Sequence, residues 1–171
     1  MGRSATKASD NVYYQARIEA AKYNDKLFSR EGAAELLGMS PSAVADAELG
    51  LNKVMPVDKA VMMAEVYNAP QLLNYYCLNE CPIGKRLPIS DEVKPIEQSV
   101  LSLINLLEDG QMLDSKRRLV AIAMDGRISP GERVAAKELV DFFEDVSKKV
   151  SEIKIFLEKS AEVENETKKG A

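Results

Sequence analysis

Few side chains in this 171-residue chain stand at spacings that support chemistry. Cys77 and Cys81, the only cysteines, would lie one helical turn apart in Cys77-Leu78-Asn79-Glu80-Cys81. A metal needs about four ligands, and the chain has no histidine to add to the pair. Four thiolates shared across a dimer would reach that number, but buried structural thiols beside Tyr75 and Tyr76 are the simpler reading. Asp125, Ser129 and Glu132, in the run DGRISPGE, supply three side-chain oxygens where calcium takes about six to eight ligands. Ser129 and Glu132 fit a capping box better, with Pro130 at the first helical position. The lack of histidine also removes Ser–His and Cys–His nucleophile pairs. Phosphate-cradling loops of the GxGxxG or GxxxxGK[ST] kind do not occur. The chain therefore reads as a non-enzyme, with no catalytic residue, cofactor, metal or small-molecule ligand to nominate.

The elements around these residues read as helices. Apolar residues recur at spacings of three and four, and strand-like alternation is hard to find. Helices are expected at 10–24, 30–37, 41–49, 57–67, 70–79, 91–109, 114–124 and 130–160. Pro82, Gly84 and Pro88 mark an irregular connection, which suggests one domain over 10–80 and another over 90–160, with tails at 1–9 and 161–171. No apolar run approaches the roughly 18 residues of a membrane span, and the start MGRSATKASD offers no apolar signal segment. Two cysteines are too few for a disulfide framework. The expectation is a cytoplasmic protein without membrane contact.

Ser29 to Pro56 is the segment with the most specific spacing. Ser29 can cap a helix whose Ala33, Ala34 and Leu37 share one face. Gly38 supplies the positive φ that ends a helix sharply. Ser40 caps the next helix, Pro41 takes its first position, and Val44 and Ala47 point inward. Ala34 lies four residues before the turn glycine and Val44 six after it, the arrangement of a helix-turn-helix. With Glu48-x-Gly50, Pro56, Ala64-Glu65-Val66-Tyr67 and Pro70-Gln71-Leu72-Leu73, residues 10–80 resemble the phage-repressor and Cro (XRE-type) family of DNA-binding domains.

The resemblance implies a five-helix lambda-repressor-like DNA-binding domain over 10–80, and the apolar spacing beyond it suggests a C-terminal helical bundle with a long coiled-coil-like helix, an all-α chain. The resemblance also implies roles on double-stranded DNA. Arg30 would touch a phosphate, and Asn52 and Lys53 would meet the backbone again. The second helix and its cap, Ser40, Pro41, Ser42, Ala43 and Asp46, would lie in the major groove.

Charge sits uneasily with that docking. The groove-facing set contains no Arg, Lys, Asn or Gln to read a base edge with two bonds, and Asp46 repels phosphates. From Ser29 to Lys59, three cations (Arg30, Lys53, Lys59) face five anions (Glu31, Glu35, Asp46, Glu48, Asp58), a net charge of −2. Arg17, Lys22 and Lys26, with Arg3 and Lys7 of an N-terminal arm, offset this, so residues 1–86 are neutral. Two readings stay open: a transcription regulator on duplex DNA, or a protein-interaction adaptor that keeps the fold without binding nucleic acid.

The second half differs in character. Leu101, Leu103, Ile104, Leu106 and Leu107 make 91–109 apolar on more than one face, so it needs several neighbours. DGxIxxxE at 125–132 resembles turns of TerB-like helical domains. Over 130–160, Ala136, Leu139, Phe143, Val146, Val150, Ile153 and Leu157 alternate spacings of three and four, an apolar seam over three heptads. That seam either packs inside the chain or joins two copies as a homodimer.

Overall fold

The computed structural model describes residues 8–169, and the side chains of all of them except 109, 123, 125 and 162–169. It is all-α: eight α-helices and two short 3-10 turns, with no strand among the described residues. The α-helices are α1 (Val12–Ala20), α2 (Arg30–Leu37), α3 (Pro41–Glu48), α4 (Val57–Val66), α5 (Gln71–Asn79), α6 (Ile96–Leu106), α7 (Asp109–Asp125) and α8 (Arg133–Lys169). None of the described helices is long and apolar enough to cross a membrane. The chain divides into two compact units, one running through Leu87 and taking in the chain from Glu158, the other spanning Pro88–Leu157.

Several elements differ from the periodicity reading, each for a local reason. Helix α1 stops at Ala20, short of residue 24, because the Asn24 side chain accepts from Lys26 N and opens a 3-10 turn over Asp25–Phe28. Helix α6 starts at Ile96, not 91, since Pro95 disfavours helical backbone at Lys94. Helix α7 starts at Asp109, five residues earlier than its apolar pattern suggests. Helix α8 starts at Arg133, after the turn in which the Ser129 N–H and hydroxyl both donate to the Glu132 carboxylate. Those bonds hold the Glu132 carboxyl below its ordinary pKa, but they stand before the helix instead of capping it, and Pro130 is in the turn. At the other end α8 runs on to Lys169. The expected tail 161–171 is thus helical to that point, as its run of Ala, Glu and Lys with no glycine before Gly170 favours. Arg3 and Lys7 lie outside the described residues, whereas Ala8, expected in the N-terminal tail, is fully buried.

The first unit packs through small residues. Ala33, Ala34, Ala47, Ala60 and Ala64 are buried where helices meet, and Leu27, Leu37, Val44, Met63 and Leu72 fill the space between. Small side chains let backbones approach. At Gly32 a Cβ would lie 2.1 Å from the Lys26 carbonyl oxygen, so only glycine admits the 3-10 turn against α2. At the centre sits a charge cluster. Arg17 of α1 donates from Nε and Nη2 to both oxygens of Glu48, at 2.5 and 3.2 Å, and from Nη1 to the Leu27 carbonyl at 2.7 Å. Arg30 of α2 adds Nε to Glu48 Oε2 at 2.7 Å. One carboxylate at the end of α3 thereby ties α1, the 3-10 turn and α2 to α3. Arg17 also lies 5.5 Å from the centre of the Tyr14 ring.

The Pro88–Leu157 unit is built differently. Among its described residues the buried apolar side chains are Leu139 and Ile155, and Ser90, Ser99, Ser115 and Glu152 are buried too. Glu152 accepts from Lys149 at 2.9 Å, Lys94 at 3.4 Å and the Ser99 hydroxyl at 3.5 Å, which pins α6 and the strap before it to α8. The heptad set is not one buried seam. Leu139 is buried and Ala136, Val146 and Ile153 half-buried, but Phe143, Val150 and Leu157 are exposed. Glu152 and Ile155 lie roughly 150° round the helix from Leu139, and Leu157, in phase with Leu139, is exposed, so the two halves of α8 bury different faces.

Removing one partner of a buried ion pair leaves the other uncompensated. Glu48→Ala is expected to lower the urea unfolding free energy by roughly 3–5 kcal/mol. The double replacement Arg17→Met with Glu48→Leu should recover a large part of that loss.

Candidate nucleic-acid interface

The α2–α3 corner is assembled by local rules visible at each residue. The Ser29 hydroxyl accepts from Gly32 N at 3.0 Å and starts α2. Gly38 ends it at φ +58°, in left-handed backbone, and the Met39 N–H closes on the Ala34 carbonyl at 3.0 Å. Two residues later Ser40 accepts from Ala43 N at 3.1 Å, and Pro41 opens α3. The inner faces then meet through Ala33, Ala34, Leu37, Val44 and Ala47, all buried. A further bond ties α3 to the start of α1, where Asn11 caps Tyr13 and Tyr14 with its oxygen and donates its amide to the Ala47 carbonyl at 3.0 Å.

What remains on the outside is the set nominated from the sequence. Ser40, Pro41 and Ser42 are exposed, and Ala43 and Asp46 half-buried. The Ser40 and Ser42 hydroxyls are 3.0 Å apart, so Ser40 serves the cap and Ser42 the outer surface. Asn52 and Lys53 are exposed on the loop after α3 and border a cleft of about 250 Å³ with Asn11, Tyr13, Met55 and Glu80. Glu80 accepts from Met55 N at 2.5 Å and anchors that loop to the end of α5. The Tyr13 hydroxyl at this cleft is buried without a hydrogen-bond partner among the described residues. Burial, then the Glu80 charge, raises its pKa well above the ordinary tyrosine value. Tyr67 is raised in the same way, by burial first and then Glu48.

Two charges counted from the sequence as surface charges are interior. Glu48 and Arg17 are both buried, so Glu48 adds no negative potential to the outer face and Arg17 offers no cation there. Arg30 keeps about a third of its side chain exposed while Nε holds Glu48, which points the guanidinium along the end of α3 instead of freely into solvent. Sequence reasoning missed this trio. The available signal was Arg17 falling in phase with the inward Tyr13 and Ala16 of α1 and Ala21 just after it, where a cation needs a buried partner.

The loop after α3 also carries Leu49, Leu51, Val54 and Val57 on the surface. Cys77 and Cys81 are half-buried free thiols, and the Cys81 sulfur accepts from Gly84 N at 3.4 Å. Among the described residues no cluster of three or more His, Cys, Asp or Glu could hold a metal, while Asp125 lies outside the described side chains.

A Cβ at position 38 would meet no neighbour within 4 Å, so only the backbone penalty acts there. Gly38→Ala should destabilise the chain by about 1 kcal/mol in thermal or urea unfolding, with secondary structure retained. No family model, curated protein or solved structure matches this chain.

Proposed function

We propose that residues 10–80 form a helix-turn-helix domain of the phage-repressor (XRE) type. In this reading the chain is a DNA-binding transcription regulator, working in the cytoplasm as a homodimer and catalysing no reaction. The observation that carries it is the α2–α3 corner, in which two capped helices pivot on left-handed Gly38 and touch through alanines. That packing leaves Pro41 and Ser42 of α3 on the outside. A short exposed helix held on a rigid support is what a major groove accepts. In this reading the part-exposed Arg30 and the exposed Lys53 supply phosphate contacts, and Ser42 and Asp46 the limited base readout.

Glu48 is withdrawn from the outer face together with Arg17, which leaves the charge balance of the surface unchanged. The competing reading, a protein-interaction adaptor on the same fold, draws its support from Leu49, Leu51, Val54 and Val57, exposed where duplex binding favours Lys and Arg.

Titration of random duplex DNA against salt separates the two. A regulator gives a log–log slope reflecting several neutralised phosphates, and Lys53→Ala lowers that slope by about 1. Arg30→Ala weakens all duplexes alike, whereas substitutions at Ser42 or Asp46 change preference between sequences. No binding even at low salt overturns the regulator reading in favour of the adaptor.

A further inference from the structure

A cavity of about 470 Å³ is lined by residues of α1, the 3-10 turn and the α4–α5 junction, with Lys159 beside them. All belong to the unit that runs through Leu87 and takes in the chain from Glu158. Its size falls within the roughly 300–1,000 Å³ of small-molecule sites. Three wall residues carry buried polar atoms with no hydrogen-bond partner among the described residues: the Tyr67 hydroxyl, Asn68 Oδ1 and Gln71 Oε1. Asn68 donates its amide to the Lys159 carbonyl at 3.2 Å, which leaves the oxygen as its unmet end. Buried polar atoms are nearly always paired, and an orphan costs stability. Three orphans on one wall are explained by an occupant that pairs them.

The rest of the wall sets the chemistry of that occupant. Ala16, Ala20, Val66 and Ala69 offer an apolar surface, and Tyr23, 80% exposed, adds an aromatic ring at the rim. Glu19 and Lys22 neutralise each other, and Asp25 is matched by Lys159, so the wall carries no net charge. It contains no arginine, and its lysines are balanced by carboxylates, which is poor ground for a phosphate. We propose that this cavity binds an uncharged nucleoside whose base carries an exocyclic amino group, of the adenosine or cytidine kind. The two amide oxygens accept from the amino hydrogens, and the Tyr67 hydroxyl donates to the neighbouring ring nitrogen. Gln71 is half-buried, and its broad terminal torsion lets the oxygen turn to meet a ligand. Tyr23 supplies a stacking face for the base, and Asp25 accepts from the sugar hydroxyls. None of the wall residues belongs to the candidate nucleic-acid interface, so the site stands whether or not the chain binds duplex DNA.

The test is isothermal titration calorimetry of the full chain without DNA. Adenosine and cytidine are compared with inosine and uridine, in which an oxygen replaces the amino group. At least one amino-bearing nucleoside is expected to bind, with its oxo counterpart weaker by about 10-fold or more. Gln71→Leu and Tyr67→Phe should each weaken that binding by about 10-fold. Both should leave the melting temperature of the free chain unchanged or raised, because each removes an unmet polar atom. The proposal is overturned if neither adenosine nor cytidine binds, if inosine and uridine bind as tightly, or if both variants keep full affinity. A lower melting temperature in both variants overturns it too, since the protein itself would then be holding those atoms.

Discussion

One buried carboxylate organises the first unit. Glu48 closes α3 in a nearly water-free site, where an isolated charge would be driven to neutralise or to unfold its surroundings. Two guanidiniums satisfy it instead, Arg17 in a two-pronged grip and Arg30 from the side, and Arg17 passes the link on to the Leu27 carbonyl. The bonds converge from α1, the 3-10 turn and α2, so α3 is held by its C-terminal end. Its other end and outer face are left to solvent. The orientation of the candidate recognition helix is thus a consequence of charge burial, beyond what alanine packing alone would impose, since a smooth apolar contact tolerates sliding and a bidentate ion pair does not.

The same cluster accounts for the mixed electrostatics of the outer surface. A unit that is neutral in residues 1–86 need not be neutral where it meets a partner. Sequestering Glu48 beneath Arg30 removes an anion from the segment and leaves a half-exposed guanidinium above it. Asp46, still at the surface, works against phosphate contact, and the apolar loop after α3 adds surface that DNA does not reward.

The two units resolve burial in opposite ways. The first conceals alanines and medium apolar side chains around one ion cluster. The second conceals Glu152 with its lysines and serines and leaves Val140, Phe143, Val150 and Leu157 outside. A buried carboxylate tied to α6 and the preceding strap fixes register while adding little hydrophobic stabilisation. Helix α8 buries Leu139 on one face and Glu152 and Ile155 on a nearly opposite one further along.

What the sequence determined by itself is what depends on a few adjacent residues. The all-α class, the Ser29 and Ser40 caps, the left-handed Gly38, the inward alanines and the helix-terminating effect of glycine and proline were legible because each rests on local backbone sterics and hydrogen bonding. What only the tertiary structure decided is what depends on residues far apart in the chain. Arg17 and Glu48, 31 positions apart, read as surface charges until burial brought them together. The seven-residue repeat of α8 read as one seam, but the structure buries Leu139 and leaves Phe143, Val150 and Leu157 of the same face exposed. Local periodicity says which residues can share a face. Burial depends on what other segments bring against that face, and a charge belongs inside only when its partner arrives with it.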